Sequence, residues 1–139
     1  MAIHKLLRIT ALTVLLRLAG LITLTAFVAM VLPAAWMAST HRALGFGDWP
    51  ETPVFEYLAR SIAALYGFHG GLLVLIAGDP ARHITIVKYM AFMYVAFGLI
   101  VLAIDLDAGM PMWWTLAEGP PIAMTGVVFA VLARDLRNP

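Results

Sequence analysis

The sequence predicts an all-α membrane protein in which four transmembrane helices form an up-and-down bundle with the N-terminus and the C-terminus in the cytoplasm. Three observations lead to this fold class. The 139-residue chain is 63% hydrophobic and 12% charged, whereas an ordinary soluble domain is about half apolar and a quarter charged. Four apolar stretches with short connections use nearly all of residues 1–139, so we expect a single domain. The Lys and Arg residues also fall unevenly on the two sides of these stretches.

The four predicted spans cover residues 18–38, 56–78, 84–104 and 119–136. The uncharged stretches 18–40 and 61–78 are each long enough to cross a bilayer as they stand. The third span reaches full length if Lys88 snorkels, because its apolar stem can lie in hydrocarbon while its ammonium reaches water. The fourth stretch is short, so we place Pro120 and Pro121 in the first turn of its helix, where a missing N–H is harmless.

The distribution of positive charge predicts the orientation. Seven residues lie on the side of the termini, namely Lys5, Arg8, Arg17, Arg82, Lys88, Arg134 and Arg137, and two, Arg42 and Arg60, lie on the other side. Because Lys and Arg concentrate in cytoplasmic loops, both termini are expected in the cytoplasm, and the acidic face points outwards. A signal peptide is the competing interpretation of the N-terminus. Arg17 interrupts the early apolar run, so we expect a retained first helix instead.

Composition and motifs exclude several function classes. The net charge of +1 and the absence of a basic run give no footprint for nucleic acid, and no cysteine is present for a disulfide or a thiolate metal site. The sequence contains no nucleophile elbow, phosphate loop or H-E-x-x-H spacing. We therefore expect a non-enzymatic protein without a metal or cofactor.

Polar and aromatic residues gather at the predicted outer ends of the helices. Span lengths place Arg60, Asp105 and Glu118 near one membrane boundary, where charges usually find partners. The predicted ligand-binding cluster consists of His41, Glu56, Tyr57, Arg60, Asp105, Trp113, Trp114 and Glu118. Such a cluster can hold a cation or a polar head group, and in the leading hypothesis Arg60 binds an anionic head group. The alternative is a set of ion pairs that only keeps the helices in register, and the acid that pairs with Arg60 stays open.

The second span carries a small-residue stripe and an intramembrane histidine. Ala59, Ala63, Gly67 and Gly71 recur every four residues, which predicts a close helix-packing face. We favour packing within the chain over a dedicated dimerisation face. His69, near the middle of the span, is an intramembrane polar site. It could ligate haem only with a second copy of His69 in a dimer, and the alternative is a neutral histidine bonded to a carbonyl or a tyrosine.

Short motifs along the chain carry a family resemblance. They are Trp36-Met37, His41-Arg42-Ala43-Leu44-Gly45, Tyr57-Leu58-Ala59-Arg60-Ser61, Ile104-Asp105, Ala108-Gly109-Met110-Pro111 and residues 114–120. Together they resemble an uncharacterised family of small four-helix bacterial inner-membrane proteins. This resemblance implies one compact domain in a bacterial inner membrane and brings no activity with it. Size, span count and residues 17–20 are also similar to DoxX-like proteins, some of which are linked to quinone-coupled redox systems.

Three function hypotheses follow. The first is a non-enzymatic membrane protein that acts as an accessory subunit or binds a lipid or small amphiphile at the outer leaflet. Its partners would be membrane lipids, another membrane protein or a second copy of the chain. The second is a subunit of a membrane redox complex that binds haem or quinone near His69. The third is a homo-oligomeric transporter or channel, although no polar stripe runs through any predicted span.

Overall fold

A computed structural model describes residues 2–134 and residue 136, and six α-helices form within this part of the chain. The helices are α1 (Ala2–Leu24), α2 (Ala26–Val31), α3 (Ala34–Ala43), α4 (Pro53–Ile76), α5 (Ile84–Asp107) and α6 (Met112–Ala133). Four segments are long and apolar enough to cross a bilayer, namely Ile3–Val31, Pro53–Ile76, Ile84–Asp107 and Met112–Ala133. The all-α class and the number of membrane helices are thereby confirmed. The cytoplasmic placement of the termini stays a prediction.

The first candidate span begins and ends earlier than the sequence suggested. It runs from Ile3 to Val31 instead of residues 18–38, because α1 continues through Arg17. Arg17 is exposed on this helix. Pro33 ends the span, since proline lacks an N–H and disfavours helical conformation in the residue before it. Leu32 is accordingly extended, with ψ at 143°.

Two threonine hydroxyls mark the break between α1 and α2. The hydroxyl of Thr23 donates to the carbonyl of Ala19, and the hydroxyl of Thr25 donates to the carbonyl of Ile22, each at 2.6 Å. The backbone N–H of Thr25 also donates to the carbonyl of Ile22, three residues earlier, at 3.1 Å. Such hydroxyl bonds compete with the helical ladder and bend helices. The first span is therefore built from two helices.

The fourth membrane helix also begins earlier than expected. Residues 119–136 were the predicted span, but α6 starts at Met112, so Pro120 and Pro121 lie inside the helix and not in its first turn. The span gains its length from the segment that carries Trp113 and Trp114, which precedes the predicted span. Position 135 of the predicted span, like Arg137 of the charge count, lies outside the described residues.

The described residues divide into two compact units. The central unit is Leu16–Leu75, and the flanking unit contains the described residues before and after it. The central unit thus holds the end of α1, all of α2 and α3, and nearly all of α4. The flanking unit holds the start of α1, α5 and α6.

In the central unit, Gly70 and not Gly71 continues the small-residue face of α4. Ala63 and Gly67 are buried and Ala59 is half-buried. A Cβ at Gly67 would lie 2.6 Å from an aromatic ring of α2, and one at Gly70 would lie 2.5 Å from the backbone of α1, but one at Gly71 would meet nothing within 4 Å. A helix has 3.6 residues per turn, so residues spaced four apart move gradually away from one face. The step of three from Gly67 to Gly70 returns to that face.

In the flanking unit, α5 and α6 are antiparallel and pack through glycines. A Cβ at Gly98 would lie 2.5 Å from the backbone nitrogen of Ala123, and one at Gly126 would lie 2.7 Å from the carbonyl oxygen of Ala91. The residue numbers of these contacts decrease along α5 as they increase along α6, so the two helices run in opposite directions, as the short turn between them predicts. Gly119 meets the carbonyl oxygen of Gly98 in the same way. Only glycines permit so close an approach of two backbones.

Candidate functional site

The eight residues of the predicted ligand-binding cluster are divided between the two units. The central unit contains the arginine group, which consists of His41, Glu56, Tyr57 and Arg60. The flanking unit contains the acid group, which consists of Asp105, Trp113, Trp114 and Glu118. Each group has its own geometry and its own chemistry.

In the arginine group, Arg60 is held by its own helix and by the end of α2. Its Nε and Nη2 atoms donate to Oε1 of Glu56 at 2.9 and 2.7 Å. Its Nη1 donates to the carbonyl of Met30, and its Nη2 donates to the carbonyl of Leu32 at 3.0 Å. The order of Glu56 and Arg60, four residues apart on α4, is the favourable one for an ion pair. Tyr57 is 67% exposed.

The carbonyls at the end of α2 need Arg60 because a proline follows them. The last carbonyls of a helix have no donor within the helix, and the helix does not continue through Pro33 to supply one. A guanidinium carries five N–H donors, and Arg60 makes four hydrogen bonds to Glu56 and the two carbonyls. At most one donor is left for a head group. These contacts give Arg60 a structural role that the sequence did not suggest, since it caps the carbonyls of a broken helix.

His41, in the last turn of α3, belongs to an aromatic cluster with side chains of the following loop and of the first turn of α4. Its ring centroid lies 5.3 Å from that of Phe46, 5.5 Å from that of Trp49 and 6.0 Å from that of Phe55, each in an edge-on arrangement. Nδ1 of His41 lies 3.2 Å from the carbonyl oxygen of Gly47. Gly47 has a φ of 85°, which glycine adopts without steric cost. His41 therefore packs against the folded loop and is half-buried there.

In the acid group, two carboxylates lie close together where α5 ends and α6 begins. Asp105, in the last turn of α5, is only 5% exposed, and Glu118, in the second turn of α6, is half-buried. The two groups are near enough for their charges to repel each other. Oδ2 of Asp105 is buried and has no hydrogen-bond partner among the residues that the structure describes. Burying a carboxylate oxygen without a partner is costly, so this oxygen calls for a donor.

Two tryptophans flank these carboxylates. The side chain of Trp114 is hydrogen-bonded to Glu118, one turn later on α6. Because an indole N–H can only donate, the carboxylate is the acceptor. The rings of Trp113 and Trp114 meet edge-on with their centroids 5.6 Å apart, and Trp113 is 47% exposed. The acid group thus combines a negative centre with an aromatic rim of the kind found at membrane boundaries.

The prolines inside α6 add backbone oxygens that the sequence analysis missed. Pro120 and Pro121 cannot donate to the carbonyls of Leu116 and Ala117, which lie four residues earlier in the helix. These carbonyls belong to the two residues just before Glu118 and have lost their usual helical donors. The sequence feature that could have revealed these carbonyls is the Glu-Gly-Pro-Pro segment, which interrupts an apolar run that continues on both sides.

His69 lies half-buried on α4 and is not without an interaction partner. Of the glycines near it on α4, Gly67 packs against Phe27 of α2 and Gly70 against the backbone of α1, whereas a Cβ at Gly71 would meet nothing within 4 Å. A haem or quinone site at His69 stays a prediction. Within the described residues, no group of three His, Asp or Glu side chains is placed to hold a metal ion.

The chain matches no protein-family model, no curated protein and no solved structure.

Proposed function

We propose that this membrane protein is non-enzymatic and binds, at the outer leaflet, a small amphiphile whose head group is a protonated amine. The acid group is the binding site. The observation that carries the proposal is Oδ2 of Asp105, a buried carboxylate oxygen without a hydrogen-bond partner among the described residues. A protonated amine supplies a positive charge and N–H donors together, whereas a quaternary ammonium supplies only the charge.

The second carboxylate and the tryptophans support this choice of ligand. Asp105 and Glu118 repel each other when both are charged, so an ammonium between them relieves the repulsion as well as the missing hydrogen bond. Trp114 fixes Glu118 through its indole N–H. Trp113 offers an exposed aromatic face, which attracts cations and also contacts alkyl chains at the interface.

The position of the acid group favours an amphiphile over a small soluble ion. Asp105 lies in the last turn of one candidate span and Glu118 in the second turn of the next, so a bound head group would sit near the membrane boundary. Met112 and Leu116, 61% and 59% exposed, provide apolar surface beside it for a hydrocarbon tail. The accessory-subunit hypothesis gains no comparable support. Its evidence would be exposed apolar residues for a partner protein, but on a membrane helix such residues also face lipid.

Asp105→Asn is expected to weaken the binding of dodecylamine at least about 100-fold. Removing one partner of a buried charge pair costs about 3–5 kcal/mol, and each 1.4 kcal/mol corresponds to about a tenfold change in affinity. Isothermal titration calorimetry on the full chain in a neutral detergent measures this loss. Asp107→Asn is the matched control, since Asp107 lies in the same turn of α5 but is exposed. It should leave the affinity unchanged.

Two outcomes would contradict the proposal. In the competing explanation, Asp105 carries a proton and therefore no buried charge. Asp105→Asn would then be as stable as the wild type, and both proteins would bind dodecylamine equally weakly. Equal affinity for dodecylamine and dodecyltrimethylammonium would show that N–H donation to Oδ2 plays no part. Thermal unfolding monitored by tryptophan fluorescence checks that both variants are folded.

A further inference from the structure

A groove runs along the surface of the flanking unit, at the end of α5 and α6 away from the acid group. Its volume is about 530 Å³, and both helices line it. The α5 wall includes Ala91 and Val95, and the α6 wall includes Ala130. Positions 88 to 95 of α5 line the groove, which at 1.5 Å per residue makes it about 10 Å long. The small side chains of the two alanines leave the space that a hydrocarbon chain can fill.

Two cations stand at one end of this apolar groove. Lys88, in the second turn of α5, and Arg134, just after the last turn of α6, both line it. The ammonium of Lys88 donates to the carbonyl of Leu136 at 3.0 Å, which holds it beside the end of α6. An ammonium has three donors, and this bond uses one of them within the part of the chain that the structure describes. The other lining residues named above are apolar, so the groove is basic at one end and apolar along the rest of its length.

We infer that this basic groove binds an anionic phospholipid, with the phosphate between Lys88 and Arg134 and one acyl chain along Ala91, Val95 and Ala130. Charge complementarity identifies the ligand. Basic pockets between membrane helices attract anionic head groups, and a groove on a lipid-facing helix surface is filled by a chain from the bilayer. The inference depends only on the membrane location of α5 and α6. It is separate from amine binding by the acid group.

Native mass spectrometry of the full chain in a mild detergent tests the groove, with phosphatidylglycerol and phosphatidylcholine of identical chains added in equal amounts. The wild-type protein is expected to retain phosphatidylglycerol preferentially. The double variant Lys88→Gln and Arg134→Gln should lose this preference roughly tenfold or more, because each cation near the head group attracts the anionic lipid. A matched double variant, Lys5→Gln and Arg82→Gln, removes two exposed cations that do not line the groove and should keep the preference.

A third variant tests the apolar part of the groove without changing its charge. Ala130→Phe places a ring in the groove and should reduce retention of both lipids while the protein stays folded by tryptophan fluorescence. The inference would be overturned by unchanged phosphatidylglycerol retention in Ala130→Phe, or by an equal loss of preference in the two double variants. Displacement of the lipid by inorganic phosphate alone would also overturn it, since the ligand would then be a free anion.

Discussion

Gly70→Ala is expected to lower the free energy of unfolding by about 3 kcal/mol, at the upper end of the usual cost of overpacking. The added Cβ would lie 2.5 Å from the backbone nitrogen of Leu24 and 2.6 Å from the carbonyl oxygen of Gly20. Both contacts are backbone atoms, which cannot rotate away as a side chain can, so α1 and α4 must separate. Titration with SDS from a mild detergent, followed by tryptophan fluorescence, measures the change.

The next residue provides the control. A Cβ at Gly71 would meet nothing within 4 Å, and the residue lies inside α4. Gly71→Ala is therefore expected to raise the free energy of unfolding by about 0.5–1 kcal/mol, because alanine loses less backbone entropy in a helix than glycine. If the two variants were equally stable, the close approach of α1 and α4 at Gly70 would be refuted.

Arg60→Ala is expected to lower the free energy of unfolding by about 3 kcal/mol. The substitution removes two charge-assisted hydrogen bonds to the carbonyls of Met30 and Leu32 and leaves Glu56 without its partner. A hydrogen bond to a charged group contributes about 1.5–3 kcal/mol, and the half-exposed ion pair adds little. The same SDS titration measures the loss, and limited proteolysis should show faster cleavage near Pro33.

Two further variants separate capping by Arg60 from a general effect of charge. Arg42→Ala removes an exposed arginine of the central unit and should change stability little. The stability of Arg60→Lys should lie between those of the wild type and Arg60→Ala, since a single ammonium cannot make all the hydrogen bonds of the guanidinium to Glu56 and both carbonyls. Wild-type stability in Arg60→Ala, combined with loss of a co-purified anionic lipid, would instead support the head-group hypothesis and contradict the capping role.

The number and class of the helices could be predicted from the sequence because they depend on local composition. A run of about 20 apolar residues must be a membrane helix wherever its neighbours lie, since every backbone group must be paired in hydrocarbon. The ends of the helices were less predictable. Arg17 looked like a boundary, but the chain continues as helix through it, and Pro120 and Pro121 looked like a helix start, but they lie within α6.

The partners of the candidate site residues could be predicted only in part. The spacing of Glu56 and Arg60 is a local property of α4, and the two do form an ion pair at 2.7 Å. The contact of Arg60 with the carbonyls at Met30 and Leu32 joins positions about 30 residues apart, and no periodicity along the chain encodes it. It arises because α2 breaks at a proline within reach of α4.

The sequence by itself determined that this protein is an all-α membrane protein with four spanning helices, because hydrophobicity and length act locally. Only the tertiary structure decided that Gly70 and not Gly71 meets α1, and that Asp105 keeps a buried carboxylate oxygen without a partner among the described residues. Both depend on which helix faces lie together and how closely. That geometry is set by the packing of distant segments, where a rotation of one residue moves a side chain by about 100° around its helix.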